Sequence, residues 1–580
     1  DGRMDVLKRS QSYGVNCMRF HSHCPPDAAF AAADRLGMLM QPELSHWNPR
    51  NALDDNKSFA YYPLELKQIL RAYANHPSFV MLTFGNELHT GALGHARMDS
   101  MITRAKTLDS TRLYANGSNV HYGHLPPDPG SDFYTSSNYL DHMLRATSAQ
   151  MQGFLNGQYP STDHTYTAAM TALRKDYIKP VFTFEVGQYE VLPDFAQLTQ
   201  FTGVTRADNL AFIQSRMQAA GWAGTWKRRV EATGELALLG YREEVEAVLR
   251  TPSLSGISLL GLQDFPGQGT ALVGMLDAHL KPKPYSFANP ERFRAFFTDV
   301  SPLAQLPRYT YRQQERLQCE IQLANYGKAE FSQSATAVLS AGDTIFAEAV
   351  FPEKIYKAGT LTAAGRIDFP LQKVQTPQKL CLTITVGQAC NRYPVWVYPT
   401  RMQTVADGVI VTDQLHEALA YLQKGACVLL DPPADAAHFP QSIQAQFTTD
   451  FWSVGTFPKQ SGFMGCLVEP SHPVFRLFPT DFHTDWQWWP LCQGRAMVLP
   501  PGYAPLITGI DCYARLRNLG LLLEVNVLGG KLMLSSMGLL GKQQYPETQA
   551  MLSSILAYMG SKDFNPRQTL TESQLTAIVS

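Results

Sequence analysis

Nowhere do the 580 residues hold a run approaching the roughly 18 consecutive apolar positions of a membrane-spanning helix. Charge of one sign is lacking too: 49 basic residues stand against 50 acidic ones, with no long block of either. Such a surface excludes nucleic acid and anionic membrane as expected partners. Cysteine is sparse, nine residues without CxxC spacing or pairing rhythm, so neither a disulfide framework nor a zinc site follows. What the chain does have is a 45% hydrophobic content, enough to fill several cores and, at the usual domain size, about three or four domains. Its 11% of aromatic residues suits large cores and β-sandwiches as well as sugar-stacking platforms.

The first 300 or so residues alternate helical patterns with short apolar strands, the rhythm of a parallel α/β architecture. Strands are predicted at Asn16 to Phe20, Met38 to Met40, Phe79 to Phe84, Leu113 to Ala115, Phe133 to Ser136, Val181 to Phe184 and Gly256 to Leu262. Between the first two, Asp27 caps a helix with Phe30, Ala33 and Leu36 on one face, and Gly37 ends it. Pro63 suits the first turn of the next helix, whose stripe is Leu66, Ile69, Leu70 and Tyr73. Eight strands close a (β/α)8 TIM barrel and seven are counted, which predicts a first strand upstream of Asp1.

Past Ser301 the period changes to two, at Arg316 to Asn325, Thr336 to Leu339, Thr344 to Val350 and Leu380 to Val386, so residues 302–399 are expected to form an Ig-like β-sandwich. From Thr400 the α/β pattern returns, and residues 400–562 read as a Rossmann-like or flavodoxin-like module closed by a helix over Glu547 to Tyr558. Residues 563–580 read as a poorly ordered polar tail. Trp486, Trp488 and Trp489, with Leu477, Phe478 and Phe482 nearby, suggest an interface patch ahead of an auxiliary sugar platform.

Two carboxylates end barrel strands. Glu87 follows Gly85 and Asn86, and Glu185 follows Val181 to Phe184, which puts both on the face where barrel active sites assemble from strand ends. Glycosidic cleavage with retention uses such a pair: one carboxyl protonates the leaving oxygen and the other, ionised, attacks the anomeric carbon across a gap of about 5–5.5 Å. The acid must hold its proton near neutrality and the nucleophile must stay charged, for which Arg19 is a candidate cation.

Residues 76 to 87, His-Pro-Ser-Phe-Val-Met-Leu-Thr-Phe-Gly-Asn-Glu, closely resemble the acid/base strand of glycoside hydrolase family 2, and Lys179 to Gly187, Lys-Pro-Val-Phe-Thr-Phe-Glu-Val-Gly, looks like its nucleophile strand. A third stretch, Gly14-Val-Asn-Cys-Met-Arg-Phe-His-Ser-His followed by Ala33 to Glu43, is similar to the family's second and third strands. The resemblance covers about residues 1 to 300 and implies that a sugar-binding jelly roll precedes the barrel, outside these residues. It implies Glu87 as acid/base, Glu185 as nucleophile and Asn86 as donor to the sugar 2-hydroxyl. It further implies sugar or carboxylate contacts for Arg19, His21, His23 and Glu43, with Asn138 and Tyr139 able to reach the nucleophile or the sugar, or to pack. On the last strand, where relatives often present a Trp, this chain reads Leu260-Gly-Leu-Gln-Asp-Phe, so Gln263 and Asp264 are expected to replace stacking with hydrogen bonds.

Relatives that cleave glucuronides commonly carry Asn-x-Lys, and the motif is absent here, which makes a neutral sugar such as β-galactose the first expectation. An α-L-arabinopyranosidase or β-glucuronidase acting on pectin side chains, and a non-catalytic carbohydrate-binding protein, are the alternatives. No metal set is legible; some relatives bind Mg²⁺ or Na⁺, toward which Glu43 and His21 are the available ligands. The C-terminal module resembles the glutamine-amidotransferase-like domain of some β-galactosidases but lacks Gly-x-Cys-x-Gly, so it reads as structural or as the seat of a homo-oligomer. Resemblance to exported polysaccharide-degrading enzymes implies a periplasmic or secreted protein.

Overall fold

Seven parallel strands follow one another in chain order in the computed structural model, which describes residues 2–119, 127–148, 153–204 and 206–580. They are β1 (Cys17–Phe20), β2 (Leu39–Pro42), β3 (Met81–Thr83), β4 (Leu113–Ala115), β5 (Tyr134–Ser136), β6 (Val181–Gly187) and β7 (Gly256–Leu260). β1 pairs with β2 through Arg19 opposite Gln41, β3 with β4, β5 with β6, and β6 with β7. Bridges from Met40 to Phe79 and from Glu43 to Thr83 join β2 to β3, and Asp132 N to Tyr114 O (2.7 Å) ties β4 to the approach to β5. Among the described residues β7 and β1 do not pair with each other. The start of the chain instead meets the stretch after β7, where Arg9 donates to Leu280 O at 3.0 Å and Tyr13 to Ala288 O at 2.5 Å.

The helices form where the apolar stripes predict them. Asp27–Leu36 ends at Gly37 in the left-handed conformation (φ 67°) and buries Phe30 and Ala33 against Met40, Leu66, Leu70 and Phe79 in one core. Asp55 caps Asn56–Tyr73 through the Lys57 and Ser58 amides, so Pro63, expected in the first turn, lies inside the helix. The helix Trp226–Leu249 behaves unlike its composition: charged along its length, it is buried around most of its circumference. Burying charge is tolerated there because Arg242 and Arg250 pair with Glu243 and Glu246, while Asn391 and Tyr393 of the next domain donate to Glu246.

Residues 300–398 form two antiparallel-rich sheets, one of three strands and one of five, whose alternating residues Leu317, Ile321, Leu323, Leu380, Leu382 and Ile384 share a core. The C-terminal module departs from the expected doubly wound parallel sheet. Only Val409–Thr412, Cys427–Leu430 and Gly530–Ser535 run parallel; Leu519–Val527 and the strands beyond it are antiparallel. The helical pattern over Leu415–Leu422 is real, but it belongs to the one crossover at the parallel edge.

Residues 563–580, expected as a loose tail, are ordered. Thr571 and Gln574 make a capping box at the helix Glu572–Ile578, and Leu570, Leu575 and Ile578 are buried against the module's core. Trp486, Trp488 and Trp489 are buried as well, Trp486 stacked on Tyr309 (4.9 Å) and Trp489 donating to Leu155 O of the barrel (3.0 Å). They join the domains and offer no open sugar platform. Among the described residues no helix is long and apolar enough to cross a membrane, and the nine cysteines are free.

Candidate active site

The carboxylates stand where the backbone is forced out of the strand conformation. Glu87 and Glu185 both have φ 49°, the left-handed region that non-glycine residues visit at a cost of about 1–3 kcal/mol. At Glu185 the cause is a bulge: Thr183 pairs with Ile257 but Val186 with Leu259, so Phe184 and Glu185 oppose Ser258 alone. A bulge turns a side chain out of the alternation of its strand. At Glu87 the preceding glycine is obligatory, since a Cβ on Gly85 (φ 143°) would sit 2.1 Å from the His46 carbonyl oxygen. Gly187 (φ 98°) is held likewise, its Cβ position 2.2 Å from the Tyr241 ring.

Arg19, on β1, gathers the site. Its Nε lies 2.7 Å from Glu43 Oε1, Nη1 lies 3.2 Å from Glu185 Oε1, and Nη2 donates to Asn86 Oδ1 at 2.5 Å. Its guanidinium also covers the Phe184 ring at 4.9 Å. Glu43 is fully buried and accepts from Thr83 (3.1 Å) and Ser118 (2.6 Å) on Oε1 and from the Ser22 amide (2.7 Å) on Oε2. Burial alone raises the pKa of Glu43, but the charge and hydrogen bond of Arg19, with Ser118 and Ser22, outweigh it and hold the carboxyl below its usual range.

Glu87 goes the other way. Burial pushes its pKa up and the charge of Glu185 adds to that; the Trp47 indole N–H, Arg19 and Arg145 pull it back without cancelling the rise. Trp47 Nε1 donates to Glu87 Oε2 at 3.0 Å while the ring stays 54% exposed, edge-on to His21 at 6.3 Å. Arg145 donates to the Glu185 backbone carbonyl at 3.4 Å, and burial lowers its pKa against the opposing charges of Glu185, Glu244 and Glu87. Glu244, pushed up to about 7 by burial, accepts from the Gly187 amide (2.5 Å) and the Ala146 amide (2.7 Å), which clamps the end of β6 to the helix Trp226–Leu249.

Of the residues singled out in the sequence, Glu87, Glu185, Asn86, Arg19 and Glu43 therefore lie in one connected cluster. His21 stands at its rim with Trp47, and exposed His23 is bonded to the His21 carbonyl at 3.2 Å. Asn138 is engaged within its own turn, donating to Leu140 O at 3.3 Å and accepting from Ser137 at 3.3 Å. Tyr139 packs with Tyr134, Leu144 and Tyr166 in a separate core. Gln263 is exposed. Asp264 is buried, bonded to Lys283 (2.8 Å) and to the Gly274 amide (2.9 Å), and it braces the loop after β7, facing away from the hydrogen bonds expected of it in place of stacking. The Glu43 and His21 pair does not fit a cation either, because four donors occupy the two Glu43 oxygens and His21 lies exposed beside Trp47.

Sequence reasoning missed Trp47 and Arg145. Trp47 follows β2 in Leu44-Ser45-His46-Trp47, and a tryptophan just past the end of a barrel strand was the available signal. Arg145 lies in a bend just after the short hairpin of Asn138–Tyr139 and His142–Met143, and nothing local marks it.

Residues 11–213 match the family described as glycosyl hydrolases family 2, TIM barrel domain, and residues 315–399 and 410–580 match two domain families of unknown function. A putative β-glucuronidase of Formosa agariphila is 25% identical over 115 residues, 19% of this chain and 11% of that protein. Among solved structures, the β-D-mannosidase of Dictyoglomus thermophilum aligns with TM-score 0.45 and 15% identity over 71% of this chain and 49% of its own. The exo-chitosanase of Amycolatopsis orientalis aligns with TM-score 0.44 and 14% identity over 70% and 47%. The chain thus spans about half the length of these solved structures.

Proposed function

We infer, from residues 11–213 that match the barrel domain of glycosyl hydrolases family 2, that the chain is a retaining glycosidase releasing terminal β-linked sugars, with Glu87 as general acid/base and Glu185 as nucleophile. One observation carries the reading: Glu87 is held protonated to higher pH than a free glutamate by burial and by the charge of Glu185, while Glu185 takes an Arg19 N–H at 3.2 Å. An acid that keeps its proton beside a carboxyl held by a guanidinium is what acid and nucleophile roles require. Attack by Glu185 on the anomeric carbon breaks the bond to the leaving oxygen as Glu87 protonates it. Water, deprotonated by Glu87, then releases the sugar from Glu185.

A neutral sugar fits the charges best. Among the described residues of the cluster, the guanidinium groups of Arg19 and Arg145 already face Glu43 and Glu185, which leaves neither cation over for a substrate carboxylate. A β-galactoside or α-L-arabinopyranoside is therefore the first choice. A β-glucuronide is the second, supported by the putative β-glucuronidase that this chain resembles over 115 residues. The test incubates the protein with nitrophenyl β-galactoside, α-L-arabinopyranoside and β-glucuronide and follows the product anomer by NMR. Faster turnover of a neutral glycoside with retention is expected; sugar binding without turnover of any substrate would make the chain a carbohydrate-binding protein instead.

Trp47→Phe separates the indole N–H from the ring. The N–H stabilises ionised Glu87, so its loss moves the carboxyl further up. Because protonated Glu87 is the active acid, the alkaline limb of kcat/KM against pH should shift to higher pH; an unmoved limb would disconnect Trp47 from the acid.

A further inference from the structure

The backbone that leaves the nucleophile strand is not finished by the barrel. After Glu185 the chain runs through Gln188, itself left-handed (φ 66°), and there it pairs with a segment of the C-terminal module. Trp452 N donates to Gln188 O at 2.7 Å, Glu190 N donates to Asp450 O at 2.8 Å, and Tyr189 and Phe451 bridge as antiparallel partners. The module thus adds one antiparallel bridge, flanked by two backbone hydrogen bonds, to the extension of β6. Its next residues fasten to the loop after β7: Thr456 donates to Gln268 O at 3.2 Å, and Phe451 and Trp452 share a small buried core with Ala271 and Val273. The Phe451 ring also lies under the Arg145 guanidinium, 4.9 Å from ring centre to cation. Arg145 touches the backbone of Glu185 and acts electrostatically on both glutamates of the pair.

We propose that the C-terminal module is part of the catalytic centre: its segment 446–457 straps the backbone after Glu185, and Phe451 is a positioning residue that holds Arg145 beside the carboxylate pair. The physical basis is the attraction of a guanidinium to an aromatic face, which fixes a cation whose one direct bond among the described residues is a long one to a carbonyl. This gives a role in this chain to residues 410–580, which match a domain family of unknown function. The inference rests on Glu87 and Glu185 being the working pair.

The test uses the whole chain and the nitrophenyl glycoside it hydrolyses fastest. Phe451→Tyr keeps the aromatic face and should retain near wild-type kcat. Phe451→Leu keeps apolar bulk but not the face and should lose about 10- to 100-fold in kcat, the scale of a misplaced catalytic-site group, with KM little changed. Glu87 is faced by Glu185, Arg19 and Arg145 and by the Trp47 N–H; freeing Arg145 weakens one of the two cations, so the alkaline limb of the leucine variant should move to higher pH. If Phe451 acts through Arg145, Arg145→Gln and the Arg145→Gln, Phe451→Leu double variant should be equally slow. Equal activity of the leucine and tyrosine variants, or losses that multiply in the double variant, would overturn the strap while Glu185→Gln remains inactive. A fully active Glu185→Gln would overturn the reading of the pair and the strap with it.

Discussion

Glu185→Gln is expected to lower kcat on the order of 10⁴-fold or more, the scale seen when a covalent nucleophile is removed. The substitution is nearly isosteric and leaves an oxygen for the Arg19 N–H now 3.2 Å from Glu185 Oε1, so the folded state should survive it. The decisive measurement is mass spectrometry after exposure to a 2-deoxy-2-fluoro glycoside with an activated leaving group. Wild-type protein should carry the sugar on the peptide containing Glu185, and the glutamine variant should stay unlabelled. Label on another residue, or substantial turnover by the variant, would remove Glu185 from the role. The effect is large because the bulge at Phe184 and Glu185 places this one carboxylate out of register, and neighbouring Glu43 cannot take its place, being saturated by its own donors.

Glu87→Ala should divide substrates by leaving group. For sugar or alkyl leaving groups, loss of the general acid should reduce kcat by about 10²- to 10⁴-fold. Dinitrophenolate needs no proton, so its release should stay fast while hydrolysis of the glycosyl-enzyme slows, and a pre-steady-state burst should appear. Azide should restore turnover and yield a β-glycosyl azide, the product of two inversions. The wild-type alkaline limb, which falls as Glu87 loses its proton above the ordinary glutamate range, should vanish in the alanine variant. Uniform loss across all leaving groups would show that Glu87 supports the fold and not proton transfer.

Much of the architecture was legible because periodicity is a local signal. The seven barrel strands, the helices over Asp27–Leu36 and Leu415–Leu422 and the closing helix Pro546–Met559 stand within a few residues of where apolar spacing and turn residues put them. The misreadings share a cause. Strands such as Phe463–Val468 and Ile507–Asp511 are short and buried, so they show no alternation, and without them the C-terminal module reads as parallel α/β. The last residues look polar in sequence, yet Leu570, Leu575 and Ile578 suffice to dock them once Thr571 caps their helix.

The site divided along the same line. Sequence alone determined which acids come forward as candidates, since Gly-Asn-Glu after one strand and Phe-Glu-Val-Gly ending another are local patterns that a chain cannot hide. Tertiary structure decided everything that depends on distance: that Arg19 ties Glu43, Asn86 and Glu185 together, that Trp47 meets Glu87, that Asp264 faces Lys283 and Tyr139 packs in a core, and that Phe451 of a remote module lies under Arg145. Charge, burial and ring contact act through space and fall off within a few ångströms, so residues far apart in the chain acquire their roles only when the fold brings them together.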